Sequence, residues 1–465
     1  MKAGKRIVEK IKTVILVVLF LLTILLLYLL WTGDGNPIVL PEILSFGNGQ
    51  KDVPEIKSMI GPAYLVRGNG DGSFSVTPVD SGKGFLRVAA LLEEMSRESI
   101  SIGTVSIRQC KEALEQYPSS VYVFSCDLPY ESVCDVAAVS GVGEDAIGHI
   151  TRLMVSEAAP DSIIIFDDAE NLAYRIAGES IVLKPEAPEE TADDGGIFYS
   201  TERIFGCSGN ALIPVGEQSR LGVCDMAERK DPEGTDAARQ IFGDTFDFVR
   251  RMTDSFGTVT YMYGYAQKTM TVFSDGSYEY KTETVGESAG FRKDLEAALA
   301  FVSGCGGWDA GGGISYRLSS YTEAGSGRAS SYRFYFSALL NGTEVCSDNG
   351  YPVVVGVDGG KVCYYYRDMF FCENVREQNA AAVSDAANVI ASNANFMYKI
   401  LNNSALAPNT DEALSFVAES LVTVSTGYYR NTTDNSLVPC HIVDLSGGHR
   451  FYFGLYDGTP LGLSQ

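Results

Sequence analysis

The stretch Gly286-Glu287-Ser288-Ala289-Gly290 has the G-x-S-x-G spacing of a nucleophile elbow, in which a strand-to-helix turn exposes a catalytic serine. His441 and His449 follow later in the chain, an order that would suit an esterase or wall hydrolase. The strand predicted before Ser288 is polar at alternate positions, however, and no run of βαβ units or HGGG-type segment accompanies it. We therefore favour a local interpretation, in which Ser288 caps a helix that begins near residue 290.

Acidic residues offer other candidate sites. Asn69, Asp71 and Ser73, with Asp80 at the twelfth position, resemble a calcium loop. The loop lacks glycine at its sixth position, glutamate at its twelfth and flanking helices, so a hairpin turn is the better prediction. The pairs Asp167-Asp168 and Asp193-Asp194 would suit glycoside hydrolysis, which needs two carboxylates at a set separation. About one residue in eight is acidic, so such pairs carry little weight.

A glycine cluster and an aromatic cluster are further candidate binding sites, and neither is well supported. Gly311-Gly312-Gly313 lacks the following Lys-Ser/Thr of a phosphate loop. Tyr364-Tyr365-Tyr366 with Phe370 and Phe371 would make a ligand platform, but a half-buried strand with cross-strand ring contacts explains them more simply.

The cysteines and histidines predict no cofactor or metal. The ten cysteines include no Cys-x-x-Cys pair, and only three histidines are present. Because the cysteine number is even, up to five disulfides are possible in an oxidising compartment, and free buried thiols remain the alternative.

The charge of the chain is divided unevenly. Residues 1–12 hold five basic groups and one acid, a net charge of +4. Since the whole chain has a net charge of −23, the remaining residues have a net charge of −27. An acidic protein of this kind is repelled by phosphate, so we do not expect it to bind nucleic acid.

An apolar run of eighteen uncharged residues, 14–31, follows the basic arm. A helix of this length rises about 27 Å and approaches the roughly 30 Å hydrocarbon thickness of a bilayer. The competing interpretation is a cleaved signal peptide, but the run is longer than usual and ends in Leu-Leu-Trp without small residues. We predict a single-pass anchor in the cell membrane, with the N-terminus in the cytoplasm and the bulk of the chain outside.

The rest of the chain has an α+β pattern of short antiparallel strands with flanking helices. Helices are predicted at 84–97, 108–116, near 144–158, at 236–256, 291–305 and 411–424, and an exposed connector at 184–197. We predict the following organisation: a basic arm (1–12), a transmembrane helix (13–31), a stalk (32–51), an N-terminal domain (52–198), a middle domain (199–287) and a C-terminal domain (288–465).

A short sequence occurs twice in the C-terminal domain and divides it into two units. The sequence Arg-Phe-Tyr-Phe occurs at 333–336 and again at 450–453, each time followed by a glycine turn and preceded by a predicted helix. We therefore expect two related helix-plus-meander units, 289–375 and 408–462, as an internal repeat.

Several stretches together resemble a known family, the YycH-type regulators of the WalK (YycG) sensor histidine kinase. These stretches are the basic arm with its span ending in Leu-Trp, SSVYVFSCDLPYESV (119–133), SIIIFDDAENLAYRI (162–176), QIFGDTFDFVRRM (240–252) with FSDGSYEY (273–280), and YRFYFSALLNG (332–342) with PVVVGVDGGKVCYYYRD (352–368). The last pair resembles the partner protein YycI. Ten cysteines are more than the family leads one to expect.

The resemblance implies a regulatory protein without enzymatic activity. Its partners would be a sensor histidine kinase and a YycI-like protein in the membrane, with a homo-oligomer also possible. Family members contact the kinase largely through transmembrane helices. The span has no small-xxx-small motif, so we expect contact through the helix face of Leu16, Leu19, Phe20, Thr23, Leu27 and Leu30, or else exposure of that face to lipid. A third possibility is a solute-binding module whose RFYF units line a groove.

Overall fold

The computed structural model describes the chain from residue 53 onward, and residues 1–52 lie outside the described part. The predicted arm, transmembrane helix and stalk therefore stay predictions. None of the described helices is both long enough and apolar enough to cross a bilayer. The described residues are 53–464 without 98, 187–195, 210, 217, 228–230, 232, 285, 309–312, 326, 328–329, 369, 377–381, 404–408 and 432–433.

The described residues form two largely antiparallel sheets with helices, so the predicted α+β class is confirmed. The first sheet has the strand order β3-β7-β6-β5-β4-β1-β2-β8-β9, and all its pairings are antiparallel. Its strands are β1 (Tyr64–Asn69), β2 (Phe74–Pro78), β3 (Ile100–Thr104), β4 (Pro118–Pro129), β5 (His149–Ser156), β6 (Ser162–Asp167), β7 (Leu172–Gly178), β8 (Ile197–Ser200) and β9 (Leu212–Val215).

Five helices accompany the first sheet: α1 (Ile56–Ile60), α2 (Ser81–Ser96), α3 (Ile107–Gln116), α4 (Tyr130–Ala137) and α5 (Thr201–Phe205). Helix α2 begins where the Asp80 side chain accepts the backbone N–H of Lys83 at 2.9 Å, which satisfies one unpaired donor of the first turn. Its apolar face, with Phe85, Val88 and Leu92, is buried. The helices predicted at 84–97 and 108–116 are confirmed.

The helix predicted near 144–158 is wrong. Residues 149–156 form the strand β5 between β4 and β6, and the helix of this region is α4, directly after β4. Leu153 and Val155 of β5 are buried by packing against residues distant in sequence. Tertiary pairing therefore overrides the local helical pattern.

The second sheet contains the remaining strands. Its order is β11-β12-β13-β14-β19-β18-β16-β17-β21-β22-β10-β20, with β15 beside β16 and β23 between β22 and β24. Only β17 and β21 pair in parallel among its described strands. The strands are β10 (Val223–Met226), β11 (Arg250–Thr253), β12 (Val259–Tyr263), β13 (Lys268–Val272), β14 (Tyr278–Thr282), β15 (Ile314–Ala324), β16 (Ser331–Leu340), β17 (Thr343–Cys346), β18 (Val353–Asp358), β19 (Lys361–Arg367), β20 (Cys372–Arg376), β21 (Leu421–Asn431), β22 (Ser436–Leu445), β23 (Arg450–Gly454) and β24 (Pro460–Ser464).

Four α-helices belong to this part: α6 (Thr235–Phe242), α7 (Phe291–Gly304), α8 (Ala386–Leu401) and α9 (Thr410–Ser420). The helix predicted at 291–305 is confirmed. The helix predicted at 236–256 is too long, because α6 ends at Phe242. The next residue, Gly243, has a φ of 51° and begins a 3-10 helix (Gly243–Phe248) that leads into β11. The helix predicted at 411–424 stops at Ser420, where β21 begins.

The sheets do not end at the domain limits predicted from the sequence. Strands β8 and β9 extend the first sheet to residue 215, and β10 of the predicted middle domain pairs with β20 and β22. Strand β14 joins the middle domain to β19 by regular hydrogen bonds. One apolar core runs through both sheets and contains Leu65 and Leu153 of the first and Phe334 and Val355 of the second.

The two RFYF stretches lie at different places in their units. The first is in β16, the second strand after α7, and the second is in β23, the third strand after α9. The two stretches therefore do not occupy equivalent strands, although both precede a glycine turn with positive φ, at Gly342 and Gly458, and the internal repeat stays a prediction. What they share is alternation, since all four phenylalanines are fully buried: Phe334, Phe336, Phe451 and Phe453.

Candidate functional site

Part of the predicted site lies outside the described residues. This applies to the transmembrane face of Leu16, Leu19, Phe20, Thr23, Leu27 and Leu30, and also to Asp193, Asp194, Gly311 and Gly312. The transmembrane face therefore stays a prediction, and the acidic pair and the glycine run, which the sequence did not favour as sites, stay untested.

Ser288 has a local partner instead of a histidine. Its Oγ donates to Oδ2 of Asp294 at 2.6 Å and accepts the backbone N–H of Gly290 at 3.1 Å. Asp294 is completely buried in the first turn of α7, and Ser288 is also buried. Ser288 therefore fastens the loop to the start of α7. The predicted capping role is wrong, because Gly290 is the N-cap and no side chain caps the helix, but the role of Ser288 is local as expected.

His441 is used elsewhere in the fold. It is completely buried in β22, and its Nε2 lies 3.0 Å from the carbonyl oxygen and 3.1 Å from the Oγ of Ser384. The Ser384 hydroxyl donates to the carbonyl of Leu455 at 2.7 Å, so Nε2 acts as the donor in this contact. Burial lowers the pKa of His441, and its Nδ1 has no hydrogen-bond partner among the described residues. This neutral imidazole ties β22 to the segment before α8.

The calcium-like loop is a hairpin turn. Oδ1 of Asp71 accepts the backbone N–H of Ser73 at 2.9 Å and the Ser73 hydroxyl at 2.6 Å, and these bonds lower the pKa of Asp71. Asp80 caps α2 instead. The two carboxylates therefore have separate structural roles, and the predicted hairpin is confirmed by the β1–β2 pairing.

The tyrosine run follows the strand alternation. Tyr365 of β19 is fully buried, and its ring centroid lies 5.3 Å from that of Phe301 and 5.7 Å from that of Tyr278. Tyr364 on the opposite face lies under the Arg333 guanidinium, 4.6 Å from its ring centroid. The aromatic residues are thus core and cross-strand contacts, as the simpler explanation predicted.

The cysteines are placed for structure and not for nucleophilic chemistry. Cys224 and Cys372 form a disulfide between β10 and β20, and the other eight are free. Burial raises the pKa of the Cys126, Cys134 and Cys305 thiols to about 12. A thiol with such a pKa is a poor nucleophile at neutral pH.

A partly buried ionic cluster links three strands of the second sheet. The Arg450 guanidinium lies 2.7 Å from Oε1 of Glu344 and 2.5 Å from Oδ1 of Asp444. Burial alone would raise the pKa of Glu344, but the charges of Arg450 and Arg317 outweigh it and lower that pKa. Arg317 also lies 5.8 Å from the ring centroid of Tyr64 in β1, so the cluster extends to the contact between the two sheets.

A cleft of ≈ 960 Å³ lies between the first segment of the described chain and the β15–β16 hairpin. Its walls include Pro54, Met59, Val79, Trp308, Tyr316 and Arg317. Arg317 is only 6% exposed, and its Nε has no hydrogen-bond partner among the described residues. The sequence did not predict this cleft, because the residues of its two walls are about 250 positions apart in the chain. Trp308, one of only two tryptophans, was the only sequence feature that pointed to a site here.

Comparisons with known proteins find a similar fold but no similar sequence. No protein-family model matches the chain, and no curated protein matches it in sequence. The fold is similar to the crystal structure of YycH from Bacillus subtilis, with a TM-score of 0.51 and 13% sequence identity. The match covers 86% of this chain and 97% of the YycH chain, so the likeness concerns the whole architecture and not one module.

Proposed function

We propose that the chain is a membrane-anchored, extracytoplasmic regulatory protein that binds and modulates a sensor histidine kinase of a two-component system controlling cell-wall metabolism. The observation that carries the proposal is the likeness of the fold to YycH over almost its full length. The sequence stretches that resemble YycH-type regulators of WalK add to it. Such a partner acts by binding two states of the kinase with different affinity.

The disulfide supports the proposed location. Disulfides persist outside the cytoplasm, where thiols are not kept reduced. The Cys224–Cys372 bond falls in the part of the chain that we place outside, after the basic arm and the apolar run. A YycI-like protein is the second partner that we propose, and the C-terminal part, residues 288–465, is the YycI-like part of this chain.

The proposed contact with the kinase is the transmembrane face around Thr23. Its hydroxyl would bond across to a neighbouring helix near the middle of the membrane, where few competing donors exist. The leucines and Phe20 of the same face would pack beside it.

A photo-crosslinking experiment tests this proposal. A photoreactive residue is introduced at Thr23, or at Leu25 on the opposite face as the matched control, in the full chain co-expressed with the kinase. We expect a crosslink from position 23 and a much weaker one from position 25. Equal labelling of lipid from both positions would contradict the proposed face.

A chimaeric variant tests whether the kinase is bound through the transmembrane span or through another part of the chain. Residues 14–31 are replaced by an unrelated transmembrane helix, and co-purification with the kinase is measured. Loss of the kinase supports contact through the span, and retention assigns contact to the extracytoplasmic part. If neither the wild-type chain nor the chimaera contacts a kinase, the proposed function is wrong.

A solute-binding module is the second candidate, favoured by the cleft, whose volume is typical of small-molecule sites. The phenylalanines of the RFYF units do not line a groove, because they are buried in the core. Ser315→Trp would fill the cleft beside Tyr316. A panel of amino acids and short peptides that raises the thermal unfolding temperature of the wild type, but not of this variant, would favour the second candidate.

A further inference from the structure

Three neighbouring strands of the first sheet bring two carboxylates and an imidazole together. Asp127 lies near the end of β4, His149 begins β5 and Asp167 ends β6. One potential ligand atom from each of the three side chains lies within 4.8 Å of the other two. Nδ1 of His149 lies 3.8 Å from Oδ2 of Asp167.

Asp127 lies within an irregularity of β4. The pairing of β4 with β5 is interrupted between Val123 and Leu128 and resumes with Leu128 opposite Ile150 and Pro129 opposite His149. Bulged segments of this kind re-aim side chains, and they are frequent next to functional sites.

The carboxylates of this group have no strong cationic partner. Asp167 is only 1% exposed; its Oδ2 accepts the backbone N–H of His149 at 3.2 Å, and its Oδ1 accepts that of Glu170 at 3.1 Å. Oδ1 of Asp127 is buried and accepts no hydrogen bond from any described residue. No described lysine or arginine pairs with either carboxylate, because Arg152 binds the adjacent Asp168 at 2.5 Å.

A buried carboxylate oxygen without a hydrogen-bond donor, such as Oδ1 of Asp127, is costly, and proteins compensate it with a cation or a metal ion. The imidazole of His149 cannot fill that role fully, because its side chain is 39% exposed and its Nδ1 is beyond hydrogen-bonding distance of Asp167. The pattern of one nitrogen and two oxygen ligands, on three hydrogen-bonded strands, is that of a metal site with an open coordination position.

We propose that Asp127, His149 and Asp167 bind one divalent transition-metal ion of the Zn²⁺ type, through Nδ1 of His149 and one oxygen of each carboxylate. The imidazole ligand selects such an ion over Mg²⁺ and Ca²⁺, which prefer oxygen ligands. Tetrahedral bonds of about 2.1 Å place ligand atoms roughly 3.4 Å apart, so small side-chain rotations complete the site. The bound ion fastens the irregular end of β4 to β5 and β6.

The test uses Co²⁺ alone as the probe, added to the full-length chain in detergent after treatment with chelator. Cobalt reports its ligands, because thiolate ligation gives an intense near-ultraviolet band that imidazole and carboxylate ligation lack. This distinction is needed because eight cysteines are free. We expect one Co²⁺ per chain without the thiolate band, and a higher thermal unfolding temperature of the loaded protein.

Two variants remove one ligand each. Asp127→Asn keeps the side-chain size and removes a charge that lacks a partner, so this variant is expected to fold, and His149→Gln removes the nitrogen ligand. Each should weaken Co²⁺ binding at least tenfold. Asp161→Asn is the matched control, because this exposed carboxylate pairs with Arg175 at 2.8 Å outside the group, and binding should be unchanged.

Two outcomes would overturn the site. One is the absence of Co²⁺ uptake by the wild type, or uptake with only the thiolate band. The other is equal affinity of the wild type, Asp127→Asn and His149→Gln.

Discussion

Cys224 of β10 and Cys372 of β20 are joined by a disulfide between two strands that are also hydrogen-bonded neighbours. The bond closes a loop with a sequence separation of 148 residues, which contains the middle strands and the β15–β19 part of the second sheet. The two cysteines thus connect the segments that enter and leave this large part of the fold. The bond is expected to stabilise it chiefly by restricting the unfolded chain.

Reduction of this disulfide should lower the free energy of unfolding by about 3–5 kcal/mol, because long closed loops lose most chain entropy when cross-linked. Urea unfolding with and without reductant measures the difference, and the double variant Cys224→Ser/Cys372→Ser should reproduce it. Thiol titration of the unfolded, non-reduced chain should find eight free thiols. Cys363→Ser is the control, and an equal loss in this variant would contradict the assignment.

Ser288→Ala should destabilise the protein without removing an enzymatic activity. The change deprives buried Asp294 of a donor at 2.6 Å and should cost about 1–3 kcal/mol. Unfolding by urea measures this cost, and hydrolysis of an activated ester measures any esterase activity. Ser96→Ala, at an exposed hydroxyl, should change stability far less. A measurable wild-type esterase activity that disappears in Ser288→Ala would contradict the regulatory proposal.

Acid should destabilise the fold through His441. Burial lowers the folded-state pKa of this imidazole, so below the ordinary pKa of about 6.5 the unfolded chain binds a proton that the folded chain does not. The free energy of unfolding should therefore fall as the pH drops from about 6.5 to the folded pKa, and this contribution should then level off. His441→Gln keeps a donor and should show a shallower dependence in unfolding measurements at about pH 7.5 and about pH 5.5. An unchanged slope would contradict the assignment.

Asp368→Asn should be among the more damaging single changes. Asp368 and Arg430 form an ion pair in which the side chains are 4% and 9% exposed, and the Arg430 guanidinium also lies 5.3 Å from the Phe370 ring centroid. Removing one partner leaves a buried charge, at a cost of about 3–5 kcal/mol in urea unfolding.

Glu112→Gln is the matched control for this ion pair. It breaks an exposed pair with Arg108 on α3 and should cost less than about 0.5 kcal/mol. Similar losses in the two variants would show that burial does not govern the cost.

Short-range sequence patterns predicted the helices and turns that are specified by residues close together in the chain. The apolar stripes of α2 and α7 are visible at helical spacing, and the Asp71 turn between β1 and β2 is specified by neighbouring residues. The role of Ser288 was accessible for the same reason, because its partner Asp294 is only six residues away.

The sequence by itself therefore determined the α+β class, most single elements, the uneven charge and the apolar run that predicts an anchor. Tertiary structure decided that residues 149–156 form a strand, that β8 and β9 extend the first sheet while β10 joins the second, and which cysteines pair. It also decided that Asp127, His149 and Asp167 meet. These features depend on strand neighbours and registers, which are set by packing between residues far apart in the chain and leave no periodic signal within a single segment.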